Sequence, residues 1–113
     1  MLKTHLLKKN RQYAYVYKKG VQVHTANFAL IFVKTKLQPF KVGFSISKKV
    51  GGAVDRNKIR RRMKMILLDY IQNFLQQNNY VFVAKPPANL LQYAQMKSEV
   101  QNILKKANCW IEN

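Results

Sequence analysis

The chain is short of acids. Of 113 residues only Asp55, Asp69, Glu99 and Glu112 carry side-chain carboxylates, and they are scattered. A protein nuclease that works with two metals holds them about 3.5–4 Å apart by several converging carboxylates, and four dispersed acids are not expected to supply that. Histidine is equally scarce. His5 lies in the terminal segment and His24 near a turn between expected strands, so the acid–base pair of a metal-free nuclease is not expected either. The single Cys109 has no intrachain partner, which suits a reducing cytoplasm, and it reads as a packing or surface thiol. Zinc-ligand spacing, a phosphate-binding glycine loop and a serine or cysteine triad signature are all missing. No apolar run approaches the roughly 20 residues of a membrane span. The opening MLKTHLLKKNRQ is apolar only briefly, so no signal peptide is expected.

What the chain has instead is positive charge: 21 Lys and Arg against the four acids, a formal +17. Such an imbalance repels itself unless a polyanion is at hand, and nucleic acid is the expected partner. With about half its residues apolar, the chain suffices for one core, and residues 1–113 are taken as one RNA-binding domain. The charge concentrates in residues 47–64, SKKVGGAVDRNKIRRRMK. At about 100° per helical residue, Ile59, Met63, Ile66, Leu67, Tyr70 and Phe74 share an apolar arc, while Asn57, Lys58, Arg60, Arg61 and Lys64 fill the remainder. A merely solvated helix face normally mixes signs; here Asp55 and Asp69 are the nearby acids. The pattern therefore points to a helix with one face in a core and the other turned to phosphates.

The elements follow in the order αβββαβα. Asn10 is expected to cap a short helix carrying Tyr13, Val16 and Tyr17, with Gly20 after Lys18 and Lys19 as its stop. Residues 21–23, 27–35 and 41–47 read as strands, the last alternating Val42, Phe44 and Ile46 against Gly43, Ser45 and Ser47, with a turn at Gln38 and Pro39 between the second and third. The basic helix is expected from about Asp55 or Arg56, with Asp55 as its cap, to about Gln76. A turn at Asn78 and Asn79, a strand over 80–84, a helix block at Pro86 and Pro87, and a last helix over 91–107 complete the chain. Strands interleaved with amphipathic helices give an α+β fold, a two-layer α/β sandwich. The sheet face bearing Phe28, Leu30 and Phe32 is expected to carry the long helices. The small residues of the third strand should leave a groove on the other face, walled by the first helix and its tyrosines.

The combination resembles the protein subunit of bacterial ribonuclease P along nearly the whole chain. The matching residues are Leu7 to Asn10 with Tyr13, Tyr17 and Lys19-Gly20; GFSISKKVG over 43–51; AVDRNKIRR over 53–61; and Ala84-Lys85-Pro86. The resemblance implies a ribosomal-protein-like sandwich with a left-handed crossover after the third strand, and a protein that leaves the chemistry to a catalytic RNA. That RNA, with its own Mg2+, removes the 5′ leader of precursor tRNA; the protein holds no cofactor. Catalytic RNA and precursor tRNA are then the partners, with no membrane and no obligate protein partner. The family's RNA-binding motif falls on Arg56, Asn57, Lys58, Arg60, Arg61 and Lys64, extended by Lys48 and Lys49. Its leader-binding cleft falls on Tyr13 and Tyr17, with Ser45, Ser47 and Lys85 as floor and rim. Asn57 can serve as a contact or as a helix-terminal cap. The tyrosines can stack on bases or be the buried side of an amphipathic helix.

Three positions depart from the family pattern: Gly52 stands where asparagine is usual, Asp55 where an apolar or basic residue is common, and Ile31 where some relatives carry a cleft aromatic. A small ribosomal or assembly protein is the competing reading, since charge and basic helix fit it equally. A DNA-binding helix-turn-helix is disfavoured by the strands around the basic helix.

Overall fold

The computed structural model describes residues 2–112. After a 3-10 turn at Leu2–His5, helix α1 spans Asn10–Lys19. Strands β1 (Val21–His24), β2 (Phe28–Lys34) and β3 (Val42–Ile46) precede helix α2 (Ala53–Tyr70). Strand β4 (Asn78–Ala84) and helix α3 (Tyr93–Lys106) follow. The sheet order is β1-β2-β4-β3. The β1–β2 and β2–β4 pairs are antiparallel, whereas β3 and β4 run parallel, so α2 is the crossover between them.

Alternation along the strands separates two faces, as their period of two requires. Phe28, Leu30, Val42, Tyr80 and Phe82 are buried in the main core with Ile59, Met63, Ile66 and Leu67 of α2 and Met96, Val100, Ile103 and Leu104 of α3. Phe40, Phe74 and Tyr80 form its aromatic centre. Phe40 and Phe74 stack at 5.5 Å, and Tyr80 meets both edge-on at 5.9 and 5.0 Å. On the other face α1 alone covers a smaller cluster of Leu7, Val16, Ile31 and Val81. The two-layer arrangement and the helix-bearing face are those expected from the sequence.

Several boundaries differ. Asn10 is the first residue of α1, and Lys9 holds the capping position, its N–H donating to Gln12 Oε1 at 3.3 Å. Gly52, not Asp55, precedes α2, leaving Asp55 in the first turn, where the helix dipole favours a carboxylate. Helix α2 ends at Tyr70 and tightens into a 3-10 turn, Ile71–Asn73. Phe74, expected on the helical arc, lies beyond that turn in a bridge to Trp110. Asn78 and Asn79 open β4 instead of turning. Pro86 and Pro87 start a 3-10 helix, Pro86–Leu90, since proline's fixed φ suits a first turn.

Candidate nucleic-acid interface

Helix α2 distributes its cations by azimuth. Ile59, Met63, Ile66 and Leu67 are buried, which fixes the helix's rotation. On one flank Arg62 Nη1 donates to Leu91 O at 3.2 Å, fastening α2 to the segment before α3. The opposite flank presents Arg56, Asn57, Arg60 and Lys64. Asn57 Oδ1 accepts from Arg60 Nη1 at 3.2 Å, so the amide orients the guanidinium and is not the N-cap. Arg56 Nε is buried with no hydrogen-bond partner among the described residues. Arg61 faces solvent and Lys58 is half-buried. Among the described residues the ion pairs join Lys97 to Asp69 at 2.6 Å and Lys105 to Glu112 at 3.6 Å. None of the α2 cations therefore has a carboxylate at ion-pair distance there.

Tyr13 ties this helix face to α1. Its hydroxyl donates to Leu7 O at 3.5 Å and accepts from Phe44 N at 3.2 Å. Its ring lies over Gly43, where an added Cβ would come within 2.6 Å of the ring carbons and hydroxyl. Burial raises the phenol's pKa, against the opposing pull of the Phe44 N–H and the Arg60 charge, so it stays protonated as a donor. A cavity of about 240 Å³ opens beside it, lined by Tyr13, Phe44, Arg60 and Lys64 together with Leu6 and Lys8. Lys8 was not among the sequence-derived candidates. The signal was there in the Lys8-Lys9 pair next to the helix start.

The expected groove is thus partly filled, because Tyr13 occupies the space over Gly43. Tyr17 is 41% exposed and Ser45 half-buried. Ser47 is exposed and caps the 3-10 turn Lys48–Val50, its hydroxyl accepting from Lys49 N at 3.1 Å. Lys48 and Lys49 are exposed on that turn, next to the start of α2. Lys85 sits past the end of β4, its ammonium donating to Thr25 O at 2.8 Å. The β1–β2 turn is itself held by Glu99, whose two oxygens accept from Thr25 Oγ1 and Asn27 Nδ2, each at 2.8 Å.

Lys8, Tyr13, Arg60 and Lys64 therefore meet at one end of α1; Tyr17, Ser45 and Lys85 lie along its flank and beyond. No group of three or more His, Cys, Asp or Glu gathers among the described residues, and no helix among them is long and apolar enough to cross a membrane.

The family profile described as Ribonuclease P matches residues 1–108. The chain belongs to the ribonuclease P protein family. A ribonuclease P protein component from a Geobacillus species is 32% identical over 108 residues, 95% of this chain and 93% of that protein. One from a Nitratiruptor species is 37% identical over 100 residues, covering 88% of this chain and 89% of that protein. The solved RNase P protein of Staphylococcus aureus superposes with a TM-score of 0.87 at 29% identity, covering 94% and 97% of the two chains. Family membership makes the chain a protein component of an RNA-binding, tRNA-processing ribonucleoprotein. The departures have local structural accounts. Gly52 has open space where its Cβ would be, so the loop does not itself demand glycine there, and Ile31 is buried in the α1 cluster beneath Gly20.

Proposed function

We propose that this chain docks on the catalytic RNA of ribonuclease P through the flank of α2 bearing Arg56, Asn57, Arg60 and Lys64, with Arg61, Lys58, Lys48 and Lys49 extending the surface. It receives the 5′ leader of precursor tRNA along α1, where Tyr17 offers a ring face, Ser45 a hydroxyl and Lys85 a cation at the far rim. Tyr13 shapes the entrance to that path. The bond is broken by the RNA and its Mg2+, in the cytoplasm, and this chain contributes affinity and position. The observation that carries the reading is the convergence of Lys8, Arg60 and Lys64 on a tyrosine-walled cavity without a carboxylate among its lining residues. Such a hollow attracts a phosphate and offers a water molecule no general base. Backbone contacts of that kind position a nucleic acid, and ring faces accept bases of any sequence.

The decisive experiment is reconstitution at low magnesium. RNA-free protein should leave precursor tRNA intact, and adding it to the catalytic RNA should raise cleavage severalfold. Cleavage by the protein alone, or no stimulation of the RNA, overturns the reading.

A further inference from the structure

Helix α1 divides the outer face of the sheet into two halves. Gly20 presses so close that an added Cβ would lie 2.5 Å from Ile31 Cγ2 and 3.0 Å from Phe32 O, so the helix end seals against β2. One half, beside Tyr17, holds Ser45 and its strand partner Val83. The other holds Val33 and its partner Asn79, at the opposite strand ends. Helical spacing sends Tyr15 to the side of α1 away from Tyr13 and Tyr17, and there it is 55% exposed.

That second half is hollow. A cavity of about 310 Å³ runs between α1 and the end of β2, lined among others by Arg11, Tyr15, Lys34 and Leu37. A second, of about 420 Å³, shares Val33 and Lys34 with the first, then rounds the end of the sheet past Lys19 and Phe32 onto the helix-bearing side, reaching Cys109. The walls are mostly apolar, the rims carry Arg11, Lys19 and Lys34, and no carboxylate is among the lining residues. The hydrogen bonds that shape the region are internal. Thr35 N donates to Gln77 O at 2.8 Å, Leu37 N to Thr35 Oγ1 at 3.1 Å, and Gln38 Nε2 to Gln76 O at 2.7 Å, leaving the Leu37 side chain 78% exposed over a tethered loop.

We infer that this half of the sheet is a second track for single-stranded RNA, separate from the leader path, with Tyr15 as its stacking platform and Arg11, Lys19 and Lys34 as its phosphate partners. The charge selects the occupant. An apolar protein segment would leave three cations unmatched, whereas a single strand supplies both phosphates and ring faces. A strand in the leader path cannot pass beneath α1, because the helix is closed on the sheet at Gly20. The second track therefore takes a different segment or a different RNA.

The test uses the full chain and a fluorescein-labelled 12-nucleotide oligoadenylate, with binding followed by anisotropy in a Tyr17→Ala background that disables the leader path. There, Tyr15→Ala should weaken binding by about five- to 150-fold, the range expected for unstacking one base. Tyr15→Phe, which keeps the ring, should bind like the parent. Arg11→Gln with Lys34→Gln should lower the slope of log affinity against log salt by about 1.4, two phosphates at 0.7 each. None of these changes should alter cleavage of a precursor tRNA with a two-nucleotide leader by the reconstituted holoenzyme. Unchanged oligonucleotide binding in Tyr15→Ala overturns the inference. So does an equal loss in Tyr15→Phe, or an equal loss of short-leader cleavage.

Discussion

The two faces of the sheet are built from alternate residues of the same strands, yet they do different work. The face under α2 and α3 is dry, centred on Phe40, Phe74 and Tyr80, and its one buried polar side chain among the described residues is Asn78 at the strand end. The face under α1 has four buried residues in its cluster, with Tyr13, Val33 and Val83 half-buried against them. Burial of large side chains accounts for most of the stability of a small domain, so the first face holds the chain folded. A surface that must accept a flexible polyanion has to keep its cations and rings solvated until the partner arrives, and that leaves little area for a core. The proposed RNA face would resolve that conflict by period, one strand residue facing the large core and the next the opposite side.

The contrast can be broken most sharply from the core side. Phe74→Ala removes a fully buried ring from the aromatic centre and should cost about 3–5 kcal/mol in chemical denaturation, as large-to-small core changes do. A loss near 1 kcal/mol would mean that the aromatic centre is not the keystone. On the recognition side, Arg60→Ala, Arg61→Ala and Lys64→Ala combined should leave the denaturation midpoint nearly unchanged. The variant should weaken binding to the catalytic RNA and flatten its salt dependence by about 0.7–0.9 in slope for each phosphate no longer neutralised. An unaltered slope would place the RNA face elsewhere. A smaller and more selective effect is expected from Tyr17→Ala. It should reduce affinity for leader-bearing tRNA by about 1–3 kcal/mol while sparing mature tRNA; Ser45→Ala should change stability by no more than about 0.5 kcal/mol. Equal losses on both tRNAs would make Tyr17 a packing residue.

Which parts were legible in the sequence follows from the range of the forces involved. The strands of residues 27–35 and 41–47, the order of elements and the buried arc of α2 rest on local periodicity, and the structure has them within a few residues. Phe74 was misplaced because its spacing continues the helical pattern. What removes it from the helix is distant: Leu75 N donates to Cys109 O at 2.9 Å and Ile111 N to Asn73 O at 2.7 Å, drawing residues 73–75 onto the C-terminal segment. The cap assigned to Asp55 failed because Gly51 and Gly52 allow the helix to begin earlier; the carboxylate folds back on Gly51 instead, 2.7 Å from where that residue's Cβ would be. At the site, the cations of α2 could be read from charge alone. That Tyr13 would fill the space above Gly43, and that Lys8 would join Arg60 and Lys64, depends on how α1 crosses β3, which no local pattern encodes.

Arg62 follows the exposed Arg61, but its hydrogen bond to the Leu91 carbonyl makes it a brake on the helix's roll. With that brake set, the phase of α2 is fixed to the body of the molecule. Inserting a single residue between Arg60 and Arg62 would swing Arg56, Asn57 and Arg60 about 100° relative to Arg62, and the guanidinium bound to Leu91 O would no longer hold them in phase. One member of the cationic series gives up its freedom, and the others are thereby held at fixed positions on the body of the molecule.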